Sequence, residues 1–151
     1  MFMESRILER WLLLVALGHV IAGVAIPILA YSAAFDYYSG LLQQAFSPAQ
    51  QVPQATVEFQ RWIVALFGPT IASVGVVFGA LVMAGIKYRD TWPWNALLLG
   101  LALWAPGDIY ISLTRDFWLH VQIDAAALLA IVPPVLVLRA RAVSYQAALS
   151  R

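Results

Sequence analysis

Four long apolar stretches dominate the sequence. They cover residues 11–31, 62–86, 92–113 and 117–138, and each reaches the roughly 20 helical residues needed to cross the hydrocarbon core of a bilayer. None contains Lys or Arg, and the only acidic residues within them are Asp108 and Asp124. Backbone polar groups in lipid must be hydrogen bonded within the protein, so such stretches cross as helices. We predict an all-α membrane protein with four transmembrane helices.

Composition agrees with this class. The chain is 62% hydrophobic and 11% charged, whereas soluble domains are about 25% charged. Its 151 residues allow one domain, and a net charge of +1 gives no basic field for nucleic acid. Cysteine is absent, which excludes disulfides, thiolate metal sites and a cysteine nucleophile. We expect the lipid bilayer as a partner and no nucleic acid.

The basic residues predict an orientation. Of the nine bases, only Arg61 and Arg115 lie on one side of the predicted bundle. The positive-inside rule places the richer side in the cytoplasm. We therefore expect a multi-pass protein of the cell (inner) membrane with cytoplasmic N- and C-termini. The bases of the richer side are Arg6, Arg10, Lys87, Arg89, Arg139, Arg141 and Arg151.

The first apolar stretch has an alternative interpretation as a cleaved signal peptide. The run is longer than the roughly 7–15 apolar residues of a signal sequence, and Glu4 and Glu9 interrupt the basic region expected before it. We therefore expect this helix to be retained. Aromatic residues mark the expected interfaces: Trp11, Trp92 and Trp94 at the inner ends, and Tyr31, Trp62 and Trp118 at the outer ends.

The connections between the stretches are unequal. Short links predict that stretches two to four form an antiparallel set, whereas a long outer loop, residues 32–61, joins the first two helices. Within it, "DYYSGLLQQAF" has apolar residues at helical spacing, which predicts a short amphipathic helix on the outer membrane surface. Asp36 suits its N-cap and Pro48 its end. The loop is either a solvated connector or a lid over the bundle.

The second stretch contains small residues at helical spacing, Gly75 and Gly79, followed by Ala80 and Ala84. Small residues allow close approach of helix backbones in lipid. We expect them to pack within the monomer, with a homo-oligomer contact as the alternative.

Three ionisable residues are predicted to lie in the outer half of the membrane. At 1.5 Å per residue, Asp108 lies about 9 Å, His120 about 6 Å and Asp124 about 12 Å below the outer boundary. The four-residue spacing puts His120 and Asp124 on one helical face. Pro106 and Gly107 precede Asp108, and we expect the third helix to bend or break there. The sequence therefore predicts an outer polar pocket.

Several functions fit these residues. One is structural, with Asp108 paired to His120 or Arg115 and Asp124 bonded to His120. Another is acid–base chemistry on a lipophilic substrate, as in an isomerase-like enzyme, with His120 as general acid or base and a raised-pKa Asp108 or Asp124 as its counterpart. A small oligomeric proton-coupled transporter would use the same groups. A divalent metal on these three residues matches no ligand motif, so we expect no metal.

His19 lies near the middle of the first apolar stretch, beside Gly18, Ala22 and Gly23. A single membrane histidine is commonly neutral and bonded to a neighbouring helix. Haem ligation by His19 and His120 would require similar depths, which the counting does not give, so we expect no cofactor. The alternative is that His19 contributes to the pocket.

We interpret the chain as a four-helix antiparallel bundle whose outer polar pocket binds a small lipophilic ligand, or as an accessory subunit of a larger membrane complex. Intramembrane ionisable groups usually face the protein interior or a watery cavity, which favours a functional site. The expected ligand-binding residues are Trp104, Asp108, His120, Asp124 and His19. The enzyme and the transporter remain alternatives.

Overall fold

The computed structural model describes residues 2–46 and 52–150. Within these residues the regular secondary structure consists of α-helices alone, which confirms the predicted all-α class. Four of the five helices are long and apolar enough to cross a membrane, as predicted; α2 is the shorter exception. The helices are α1 (Phe2–Leu29), α2 (Ala33–Phe46), α3 (Gln54–Tyr88), α4 (Trp92–Leu113) and α5 (Trp118–Leu149).

Helices α3 and α5 extend beyond the apolar stretches from which they are predicted. Helix α4 has the predicted bounds, whereas α3 already begins at Gln54 and α5 continues to Leu149. The apolar run marks the part of a helix suited to lipid, and helical hydrogen bonding continues into the polar flanks. Helix α4 runs through Pro106 and Gly107, so the chain is not broken there, and the alternative expectation of a bend stays a prediction. Membrane helices tolerate proline when other groups satisfy the freed carbonyl.

Helix α2 confirms that the long connection contains a helix. It begins at Ala33, and the Phe35 amide donates to the Ser32 carbonyl at 3.0 Å. The predicted N-cap was wrong, because Asp36 lies within the first turn. Pro48, the predicted end, lies outside the described residues.

Small residues on one face of α3 pack against α1. A Cβ atom added to Gly75 would lie 2.8 Å from the Val20 amide nitrogen and 2.9 Å from the Ala16 carbonyl oxygen. Gly68 is similarly close to Gly23 and Pro27. The predicted packing within the monomer is confirmed for Gly75, because only a residue without a side chain fits so close to the α1 backbone.

An apolar core joins the four long helices away from α2. Trp94 belongs to it and is 2% exposed, with its indole packed where Gly85 leaves room. Trp94 therefore packs inside the protein, whereas Trp92 is exposed, and the interfacial depth expected for both stays a prediction. The buried residues of this core are Leu12, Ala16, Phe78, Val82, Trp94, Ile131, Val135, Leu138 and Ala142.

The extension of α5 packs on the turn between α3 and α4. Gln146 Nε2 donates to Asp90 Oδ1 at 3.0 Å, and Arg139 Nε donates to Asn95 Oδ1 at 2.5 Å. These bonds fix one end of the molecule. The opposite end contains α2 and the turn at residues 114–117, and is called the α2 end below.

Candidate functional site

Helix α4 presents an indole and a carboxylate at the same site. Trp104 and Asp108 are four residues apart and therefore lie on one face of the helix. The Trp104 Nε1–H group donates to Asp108 Oδ2 at 3.0 Å. Trp104 is 41% exposed and Asp108 is half-buried, so this pair is accessible from the surface of the bundle.

His120 lies in the first turn of α5 and bonds to α2. Its Nε2 atom shares a hydrogen bond of 3.1 Å with the Tyr38 hydroxyl. The imidazole also packs against the Phe117 ring, with 5.0 Å between centroids. The predicted hydrogen-bonded set of His120 with Asp108 and Asp124 is wrong, because among the described residues His120 bonds to Tyr38 and Asp108 accepts from Trp104.

Asp124 carries a buried carboxyl group to which no described residue donates a hydrogen bond. Its side chain is 4% exposed, and Oδ2 is enclosed with no hydrogen-bond partner among the described residues. Asp108 and His120 lie within electrostatic range of it. A buried polar atom without a partner costs about 1–3 kcal/mol. The site therefore has an acceptor that the described part of the chain does not satisfy.

The two bases of the α2 end do not pair with these carboxylates. Arg61 Nη2 donates to Asp36 Oδ1 at 2.7 Å. The Arg115 guanidinium lies over the Phe46 ring, 5.1 Å from its centroid. The predicted alternative in which Asp108 reaches Arg115 is therefore not observed.

Tyr38 is a site residue that the sequence did not identify. Its ring packs 5.9 Å from that of Phe117, in addition to the bond with His120. Burial raises the pKa of the Tyr38 hydroxyl above its ordinary value, and the charge of Asp108 raises it further. The amphipathic pattern of α2 includes both Tyr37 and Tyr38. Only the packing of α2 shows that Tyr38 faces the bundle, whereas Tyr37 is 74% exposed.

Helix α2 is also bonded to α3, which fixes Tyr38 in place. In addition to the Asp36–Arg61 ion pair, Ser39 Oγ donates to Gln60 Oε1 at 3.3 Å. Ser39 is buried. These contacts hold α2 against the helices that supply the carboxylates and the imidazole.

The structure places His19 apart from this group. Its Nδ1 atom bonds to the Val15 carbonyl oxygen at 2.8 Å, and its ring meets that of Phe78 edge-on with 6.1 Å between centroids. These partners lie on α1 and α3. The structure therefore brings together Trp104 with Asp108, and His120 with Tyr38, around Asp124. It gives His19 a separate environment.

A cleft of about 450 Å³ lies next to the site, between α2 and the start of α5. Phe117 forms part of its wall and also contacts Tyr38 and His120. The two carboxylates do not line it. Its lining residues are Leu41, Gln44, Ala45, Arg115, Asp116, Phe117, Trp118 and Leu119.

The arrangement combines hydrogen-bond acceptors, aromatic rings and the imidazole of His120. Among residues 2–46 and 52–150, no three His, Asp or Glu side chains are grouped so that they could hold a metal ion. The buried Oδ2 atom of Asp124 keeps an acceptor capacity that no described residue uses. Comparisons with protein-family models, curated proteins and solved structures find no match to this chain.

Proposed function

We propose that the chain is a multi-pass protein of the cell (inner) membrane whose four long helices form an antiparallel transmembrane bundle. A row of exposed apolar side chains along α1 supports contact with lipid, because a soluble protein rarely exposes such a surface. The excess of bases near both termini and the α3–α4 turn supports cytoplasmic termini. The exposed side chains of this row are Leu14, Leu17, Ile21, Val24 and Ile28.

Within this bundle, the site around Asp124 binds a small lipophilic ligand. The observation that carries this proposal is the buried Asp124 Oδ2 atom, which lacks a donor among the described residues. Buried polar groups in folded proteins nearly always have a partner. A bound molecule that supplies a donor would satisfy this oxygen atom and recover the cost of burying it.

Access to the site from the bilayer supports a lipophilic molecule. Trp104 is 41% exposed on α4, and Asp108, to which it donates, is half-buried. A ligand that moves within the membrane would meet the indole ring first and then the carboxylates. The apolar part of the ligand would stay against the rings and the surrounding lipid.

Mass spectrometry of the purified protein tests this proposal. We expect wild type in mild detergent to retain a small lipophile, and Asp124→Leu to lose most of it, because leucine has no oxygen atom to accept from the ligand. Glu58→Gln is the matched control, since Glu58 is an exposed carboxylate that bonds only to Gln54. Equal retention by all three proteins, or no retained molecule, would contradict the proposal. A stoichiometric partner chain in place of a small molecule would favour an accessory subunit instead.

Acid–base chemistry on a lipophilic substrate is the second candidate. It is favoured by the hydrogen bond between His120 and Tyr38, because a tyrosine hydroxyl and an imidazole can pass a proton between them. His120 would be the general acid or base, with Asp108 or Asp124 as its counterpart and Trp104 packing the substrate. In a deletion-rescue assay, His120→Gln should then abolish function although the ligand is still retained. Full rescue would contradict this role.

A further inference from the structure

The charge balance around Asp124 indicates the chemical class of the ligand. Asp108 and Asp124 contribute two carboxyl groups, and His120 is the basic side chain among the described residues that acts on Asp124. The other bases of the α2 end, Arg61 and Arg115, are engaged with Asp36 and Phe46. The described residues therefore leave an excess of negative groups in a region of low dielectric constant.

Aromatic rings accompany these carboxylates. The Trp104 indole is bonded to Asp108, and the rings of Tyr38 and Phe117 pack on each other beside His120. Aromatic faces attract cations, and the attraction increases when water is excluded. Carboxylates combined with aromatic rings favour an organic cation over a molecule of any other charge.

We infer that the ligand is a lipophilic cation, such as an amine with an apolar body, whose positive group faces Asp124. This inference rests on the proposed ligand site and specifies what that site accepts. An anion would meet two carboxylates, and an uncharged donor would satisfy Oδ2 without balancing its charge. A charge-assisted hydrogen bond is roughly twice as strong as a neutral one. The cation is therefore the ligand that compensates best for burying Asp124.

Three probes with the same skeleton and different charge test the inference. Phenylbutylamine, phenylbutanol and phenylbutyrate carry a positive, zero and negative charge at neutral pH. Their dissociation constants are measured by equilibrium dialysis against the full chain in nanodiscs of phosphatidylcholine, whose zero net charge limits non-specific attraction of the amine. The proteins compared are wild type, Asp124→Asn and the control Glu58→Gln.

We expect wild type to bind the amine at least about tenfold more tightly than the alcohol, a difference of about 1.4 kcal/mol. Asp124→Asn should lose this preference and Glu58→Gln should keep it. The comparison of probes on wild type needs no variant, so the absence of a preference for the amine overturns the inference even if Asp124→Asn does not fold.

Each other result overturns a defined part of the account. If amine and alcohol bind equally and both depend on Asp124, the ligand site stands and the cation is wrong. If phenylbutyrate binds most tightly, the cation is also wrong. If Asp124→Asn changes the binding of none of the three probes, both the ligand site and its charge preference are wrong.

Discussion

The Tyr38 hydroxyl and His120 Nε2 lie 3.1 Å apart although 82 positions separate the two residues in sequence. The bond joins α2 to the first turn of α5. Together with the Asp36–Arg61 ion pair, it attaches α2 to two of the long helices. Helix α2 is thus part of the folded unit and supplies a side chain to the site.

Replacing Tyr38 by phenylalanine tests the strength of this attachment. Tyr38→Phe keeps the ring against Phe117 but removes the bond to His120, and we expect a loss of about 0.5–1.5 kcal/mol in stability. Tyr37→Phe is the matched control, because Tyr37 is 74% exposed. Thermal denaturation in detergent compares the two variants. Equal melting temperatures would show that the bond does not stabilise the protein.

The close contact of α1 with α3 predicts different tolerance at two glycines. Gly75→Ala places a Cβ atom 2.8 Å from the Val20 amide nitrogen, so the helices must separate. We expect a destabilisation of about 1–3 kcal/mol. Gly79→Ala is the control, because its Cβ would lie 3.5 Å from the Ala16 Cβ atom, an ordinary contact. A melting temperature as low for Gly79→Ala as for Gly75→Ala would contradict this packing.

Asp90 predicts a specific loss of stability in acid. Partial burial raises the pKa of Asp90, but hydrogen bonds from Thr91, Gln146 and Trp92 outweigh it, so the pKa lies below its ordinary value. The stabilisation is therefore present above the unfolded pKa of about 3.9 and is lost as the pH falls through the folded pKa. The difference in melting temperature between wild type and Asp90→Ala should be largest above about pH 5 and should disappear in stronger acid.

The partner on α5 provides a check of the same effect. Gln146→Ala removes one of the bonds to Asp90 and should reduce the acid sensitivity in part. A difference between wild type and Asp90→Ala that does not change with pH would show that the charge of Asp90 is not what stabilises the turn.

The proposed orientation is tested with single cysteines in this cysteine-free chain. Gln44, Tyr88 and Ser150 are exposed and lie in α2, at the end of α3 and after α5. An impermeant thiol reagent should label Gln44→Cys in intact cells, and the other two only after the membrane is permeabilised. Labelling of Tyr88→Cys from outside would reverse the orientation.

Much of the fold follows from apolar runs, because a helix in lipid must be long and uninterrupted by charge. This explains why α4 was predicted with its exact bounds. The ends of α3 and α5 were not predicted, since helices continue through polar flanks such as those before Trp62 and after Leu138. The burial of Trp94 is not predictable in this way, because the space beside Gly85 is a property of two helices together.

In the candidate site, as in the fold, properties of single residues are predictable from sequence, whereas contacts between residues distant in sequence are not. Asp108, His120 and Asp124 were selected because ionisable groups are costly in a membrane, a property of each residue alone. The hydrogen bonds that these three residues form are not predictable from each residue alone. The spacing of His120 and Asp124 permits contact, but the Tyr38 hydroxyl bonds to the imidazole, and that depends on how α2 packs.

The melting temperature of Asp124→Leu tests the central claim most directly, namely that Asp124 is present to bind a ligand and not to stabilise the fold. Leucine keeps the branch at Cγ and has no polar atom, so it removes a buried oxygen that lacks a donor. Wild type is first stripped of bound lipophile by detergent exchange, and both proteins are then melted without ligand. The account predicts that Asp124→Leu melts at the same or a higher temperature than wild type. A clearly lower melting temperature would show that the carboxyl group stabilises the bundle, and would contradict the account.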